Sequence, residues 1–105
     1  MDYEALERVL GHTFQDKALL ETALTHTSFA NEARHGTKHN ERLEFLGDSV
    51  LSIVVAEYLF THSSLPEGDL TRMRASLVCE AALFTFAQKI GLGRWLRLGH
   101  GEEMG

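Results

Sequence analysis

Apolar and polar positions along this 105-residue chain recur every three to four residues, the spacing of helices with one buried face, and no stretch alternates in the period of two that a strand requires. The first such stretch, Tyr3 to Leu10, carries Leu6, Val9 and Leu10 on one side and stops at Gly11, a residue suited to the left-handed position that closes a helix. Beyond Phe14, Asp16 is placed to cap a second helix bearing Leu19, Leu20, Ala23 and Leu24, which ends in Thr25-His26-Thr27-Ser28. Phe29 to Thr37, polar and closed by His35-Gly36, reads as a connection. The strongest signal follows: a proline-free helix from about His39 to Phe60, continuing to Thr61. Ser64-Leu65-Pro66-Glu67 then marks the start of another long helix, with Ser64 as cap, Pro66 in the first turn and Glu67 completing a capping box. Its buried stripe is expected at Leu70, Met73, Leu77, Ala81 and Phe84 and its end at Gly91, so that Cys79 lies inside it as a small buried apolar residue. A short turn from Arg94 to Leu98, anchored by Trp95, and a glycine-bounded tail from Gly99 to Gly105 complete an all-α pattern without internal repeats.

On a wheel of 3.6 residues per turn, Leu43, Leu46, Val50, Ile53 and Val54 of the first long helix fall on an arc of about 100°, the expected core face. Glu41, Glu44 and Asp48 gather within about 60° of one another on the opposite side. Like charges at such spacing destabilise a helix by about 0.2–0.5 kcal/mol per pair, and a mid-helix glycine such as Gly47 costs about 1 kcal/mol relative to Ala. A solvated surface would explain an acidic stripe by itself. Past Asp48, however, Leu51, Val55, Tyr58 and Leu59 make the helix apolar nearly all round, which puts the acids at the rim of a covered cleft. Carboxylates gathered there require a cation, and an all-oxygen set without Cys suits Mg²⁺ or Mn²⁺. Such ions serve phosphodiester hydrolysis by lowering the pKa of a bound water. Gly47 would let another backbone approach that seat.

Composition narrows the picture. Hydrophobic residues at 44%, charged residues at 24% and a single Pro describe one globular domain, not a disordered chain. One cysteine, Cys79, can form no internal disulfide, so a cytoplasmic setting is expected. The N-terminus lacks the pattern of a signal peptide, and no run reaches the roughly 18 apolar residues of a membrane span. Ten Lys plus Arg against fifteen Asp plus Glu give a net charge of −5, which excludes a protein that holds nucleic acid by an overall positive field. Any nucleic-acid role must rest on local Arg, on metal ions or on a further domain.

The run His39-Asn40-Glu41-Arg42-Leu43-Glu44-Phe45-Leu46-Gly47-Asp48-Ser49-Val50-Leu51 closely resembles the signature helix of the bacterial ribonuclease III family. The likeness extends over Leu10-Gly11 to Phe14, Leu19 to Ser28, Glu67-Gly68-Asp69-Leu70-Thr71-Arg72-Met73-Arg74-Ala75-Ser76-Leu77-Val78, and Gly91 to Gly99. This resemblance implies an all-helical endonuclease domain that cuts double-stranded RNA, in processing of rRNA and mRNA precursors, with Mg²⁺ or Mn²⁺ and as a homodimer. It implies Glu44 as a metal ligand, Asp48 as the essential acid and second ligand beside it, Glu41 and Glu67 as further acids of the cleavage valley, and Phe45 as the aromatic residue of the dimer contact.

The resemblance also departs from the family at one point. A second acidic pair, an Asp and a Glu three residues apart on a later helix, is not reached by Gly105, and the adjacent Glu102 and Glu103 have the wrong spacing for it. Residues 1–105 thus resemble the N-terminal two-thirds of a nuclease domain, with the later acidic helix and the double-stranded-RNA-binding domain absent. Weak Mg²⁺ binding, poor cleavage by this chain alone, and association through uncovered apolar faces, domain swapping included, are the expectations. Arg72, Arg74 and Arg97 are candidates for RNA phosphate contacts or for surface ion pairs, which look identical in sequence. The six histidines lack ligand spacing and read as surface or structural residues, with His26 positioning the second helix. The alternatives are a ribonuclease-III-like module that dimerises or docks RNA without cutting, and a generic helical interaction domain with an acidic surface.

Overall fold

Local capping chemistry sets the starts of the first three helices and the ends of two. In the computed structural model, which describes residues 2–33 and 36–103 apart from the side chains of Glu102 and Glu103, the chain forms α1 (Tyr3–Leu10), α2 (Lys17–Ala23), α3 (Thr27–Glu32), α4 (Glu41–His62), α5 (Glu67–Val78), α6 (Glu80–Ile90), a 3₁₀ turn (Leu92–Arg94) and α7 (His100–Glu103). The Asp2 carboxylate accepts the Ala5 N–H at the start of α1, and Asp16 accepts the Leu19 N–H at the start of α2. Gly11 and Gly91 end α1 and α6 with φ of 70° and 67°, in the left-handed region where a glycine carries no Cβ penalty.

Four boundaries differ from the sequence reading. The expected connection after Ser28 contains α3, whose first turn is capped by the His26 ring: Nδ1 accepts the Ser28 N–H at 3.1 Å. His26 therefore starts the third helix instead of positioning the second; His35, in the same expected connection, lies outside the described residues. The expected single helix up to Gly91 breaks at Cys79, whose backbone is extended (φ −74°, ψ 160°), and the thiol is exposed, not buried. At the start of α5 no side-chain cap forms: Pro66 holds the cap position, Ser63 Oγ and not Ser64 accepts the Leu65 N–H, and Glu67 Oε1 accepts from Thr71 Oγ1 at 3.0 Å instead of closing a capping box. The glycine-bounded tail carries the short α7.

The core gathers the two ends of the described chain. Leu6, Leu20, Leu24 and Trp95 are buried together, with Tyr3, Phe14, Leu92 and Leu96 packed around them. Trp95 Nε1 donates to the Asp2 carbonyl at 3.0 Å, which satisfies the one polar atom of a buried indole. A single parallel bridge pairs Thr25 with Arg97, through His26 N–H to Arg97 O at 3.0 Å and Arg97 N–H to Leu24 O at 2.8 Å.

Outside that core the helices are loosely covered. α4 packs chiefly on α5, and α5 turns back into α6. The radius of gyration is 16.0 Å and the principal extents are 51 × 27 × 23 Å, against about 13 Å expected for a compact domain of about 100 residues. The expected core face of α4 is the exposed one: Leu46, Val50, Ile53 and Val54 are 50 to 69% accessible. Burial on α4 instead falls on Leu59, 5% accessible, which continues the side that carries the acids. Along α5 and α6 the expected stripe is likewise thinly covered, with Met73 and Leu77 about one-third exposed and Phe84 exposed by more than half.

Candidate active site

Asn40 determines where the acidic helix begins. Its backbone N–H donates to Thr25 O at 2.9 Å and its side-chain amide to Ala23 O at 3.0 Å, tying the first turn of α4 to the end of α2. It therefore makes no side-chain cap to its own helix. Asn40 belongs to the sequence run singled out above, yet a role in orienting α4 was not legible there, because its partners lie 15 and 17 residues earlier.

From this anchored turn, Glu41, Glu44, Phe45 and Asp48 line one groove of about 650 Å³, together with Gly47, Leu51 and Leu83 of α6. Glu44 and Asp48 also line an adjoining groove of about 1100 Å³ against α6, where Glu80 of the first α6 turn joins them. Glu80 went unnoticed in the sequence because the helix break that places it at an N-terminus was hidden. Glu41, Glu44 and Asp48 are exposed, and none of their carboxylates has an ion-pair or hydrogen-bond partner among the described residues. The grooves are open, so the covered cleft expected from the apolar second half of α4 does not form. Nothing lies within 4 Å of a Cβ built on Gly47, so among the described residues no other backbone approaches it.

The acids share a face but do not converge on one point. No group of three or more His, Cys, Asp and Glu among the described residues could hold a metal ion, which corrects the expectation of a three-carboxylate seat. Two donors remain, Glu44 and Asp48, the pair common to both grooves.

The other singled-out residues scatter. Glu67 lines a separate groove of about 550 Å³ between α4 and α5, with Ile53, Glu57, Phe60, Leu70 and Arg74. Arg72 pairs with Asp69, one turn away on α5. Arg97 is committed internally, paired with Glu21 and 4.3 Å from the centre of the Phe29 ring. Phe45 is 80% accessible at the edge of the acidic groove.

Fold and site together define an all-helical domain whose longest helix presents carboxylates along open grooves. The family model described as Ribonuclease-III-like matches residues 16–105. Ribonuclease 3 of Oceanobacillus iheyensis is 50% identical over 105 aligned residues, 98% of this chain and 46% of that relative; Ribonuclease 3 of Bordetella pertussis is 56% identical over 103, 97% of this chain and 38% of the relative. A solved nuclease domain of ribonuclease III from Campylobacter jejuni, described for structural flexibility in a region involved in dimer formation, superposes with a TM-score of 0.83 at 45% identity, over 97% of this chain and 68% of its own. A second structure of that domain gives 0.80 at 41% identity. The chain belongs to the ribonuclease-III-like family and has the all-α fold of its nuclease domain. It spans less than half the length of the two curated relatives.

Proposed function

We propose that the chain forms part of an endoribonuclease domain that hydrolyses double-stranded RNA with a divalent metal, in the processing of rRNA and mRNA precursors in the cytoplasm. The observation that carries this reading is the pairing of Glu44 with Asp48 on successive turns of α4, unpartnered and facing the same two open grooves in a member of this family. Both are hard oxygen donors, and Mg²⁺ is commonly held by one or two carboxylates while it keeps several waters. The donor set therefore fits a hydrated Mg²⁺ or Mn²⁺ in kind, though two ligands make a weak seat. When bound, such an ion supplies an activated water and neutralises charge at the phosphodiester.

The chain's own residues do the positioning. Asn40 fixes the direction of α4, and α4 holds Glu44 and Asp48 one turn apart. Glu41 extends the acidic face toward the first turn. The open groove admits a nucleic-acid strand without a lid. Phe45, projecting from the same face, is the proposed contact to a second copy, so a homodimer, domain-swapped or not, is the proposed assembly. Glu67, with Arg74 beside it in the α4–α5 groove, is proposed to line the path of the RNA further along.

The test measures Mg²⁺-dependent cleavage of duplex RNA by this sequence joined in register to the remainder of the Oceanobacillus iheyensis relative. Cleavage is expected from the wild-type sequence, and Asp48→Asn should lower it by at least about 100-fold, the size of a lost metal contribution of several kcal/mol, with the helical circular dichroism unchanged. Equal cleavage by Asp48→Asn overturns the assignment of Asp48. No cleavage by the wild-type fusion favours a module that dimerises or docks RNA without cutting.

A further inference from the structure

Net charge is against RNA here, so any contact with the phosphate backbone must come from cations that the fold leaves unpaired and gathers in one place. Of the ten Lys and Arg side chains, Arg34 lies outside the described residues, Arg8 and Arg74 line grooves that also hold two Glu each, and Lys89 lies on α6. Lys17, Arg72 and Arg97 are ion-paired with Glu7, Asp69 and Glu21, and Arg94 lies 6.0 Å from the centre of the Trp95 ring. Lys38 and Arg42 are exposed, have no ion-pair partner among the described residues, and line the same groove. That groove, about 530 Å³, runs between α2 and the start of α4, with His39 and Thr22 also on its walls. Its one acid, Asp16, already accepts the Leu19 N–H as the α2 cap.

The position matters as much as the charge. Arg42 follows Glu41 directly and precedes Glu44 by two residues, so the basic groove and the acidic groove flank the same first turns of α4. On the helical wheel Arg42 stands about 100° from Glu41, which turns it away from the carboxylates and toward α2. The Asn40 bonds to Ala23 and Thr25 that orient α4 also hold the two walls of this groove together.

We propose that Lys38 and Arg42 are positioning residues that seat backbone phosphates of the RNA duplex next to the stretch facing Glu44 and Asp48. This rests on the double-stranded-RNA reading above and favours these two over Arg72 and Arg97, which are ion-paired with Asp69 and Glu21. Arg42 presents a planar fork that suits phosphate oxygens, and Lys38 a mobile point charge. Contacts of this kind fix register on a duplex without reading its sequence.

The test is titration of the 105-residue chain with a duplex RNA across a series of salt concentrations, in parallel with Lys38→Ala, Arg42→Ala, the double variant, and Lys89→Ala as an equal change of charge on α6. Each phosphate-contacting cation contributes about one unit to the slope of log affinity against log salt. The double variant is therefore expected to flatten the slope by about two units for every duplex sequence tried, while Lys89→Ala leaves it unchanged. If the wild-type chain binds duplex RNA and the double variant keeps the wild-type slope, the phosphate assignment is wrong while the RNA reading stands. If the wild-type chain binds no duplex RNA at low salt while the fusion described above cleaves it, the phosphate assignment falls and the RNA reading stands. Polyglutamate competing as well as duplex RNA of equal charge would mark the groove as an acidic-peptide site and overturn the proposal.

Discussion

A Cβ added to Gly99 would lie 2.8 Å from the Ser28 carbonyl oxygen and 2.9 Å from Ser28 C and Cβ, distances real side chains do not tolerate. The contact exists because Gly99 N–H donates to Ser28 Oγ at 2.8 Å, drawing the backbone of the last segment against α3. Gly99→Ala should therefore cost about 1–3 kcal/mol, the range of overpacking, seen as an earlier urea midpoint at unchanged m. Glu7 is the other residue held tightly. Its carboxylate, 7% accessible, accepts from Lys17 Nζ at 2.5 Å and from the Phe14 N–H at 2.6 Å. The Lys17 hydrogen bond first, and the Phe14 N–H second, hold its pKa below the usual carboxylate value. A carboxyl depressed in the folded state adds stability above its unfolded pKa and loses it as pH falls through the folded one. Thermal midpoints should thus decline in acid from about pH 4.5 downward, and Glu7→Gln should flatten that part of the profile while lowering the midpoint near neutrality. None of this was legible in sequence, since the Lys17 and Phe14 partners of Glu7 are chosen by the turn after Gly11 and Ser28 meets Gly99 across 71 residues.

Helices whose ends depend on a neighbouring side chain or glycine were readable: Asp16, Gly11 and Gly91 act within a few residues of themselves. The acidic stripe of α4 was readable for the same reason, because the spacing of Glu41, Glu44 and Asp48 alone puts them on one face. Periodicity identifies a helix and its apolar arc, yet it does not say which neighbour covers that arc. On α4 two apolar faces exist, and α5 packs near Leu59 while Leu46, Val50, Ile53 and Val54 stay open. The break at Cys79 is a tertiary choice of the same kind, a reversal in a stretch with no Pro or Gly to announce it. Metal affinity belongs at this scale too. With Glu44 and Asp48 as the carboxylates that the two open grooves share among the described residues, calorimetry should find Mg²⁺ bound no more tightly than in the millimolar range, about −4 kcal/mol, and Glu44→Gln should abolish the signal.

For the molecule as a whole, the uncovered stripe is the dominant property. Phe45, Leu46, Val50, Ile53, Val54 and Phe60 are each at least half exposed along one 22-residue helix, a patch of the kind that marks an interaction surface. Sedimentation of the 105-residue chain should show concentration-dependent association, and Ile53→Gln with Val54→Gln should shift it toward monomer. Because both residues are already more than half exposed, the unfolding free energy should change by no more than about 0.5 kcal/mol per site. A gel-filtration profile that is unchanged by the double substitution would remove the stripe from the association.

Trp95 reaching the Asp2 carbonyl has a consequence for synthesis. Leu6, Leu20 and Leu24 share their core with the indole, so a nascent chain carries α1 and α2 as unfinished pieces until Trp95 has left the ribosome. The contact closes a loop of 93 residues, a separation whose entropic cost must be met before the core is complete. The tryptophan thereby becomes an intrinsic fluorophore whose emission shift reports the closure of this core.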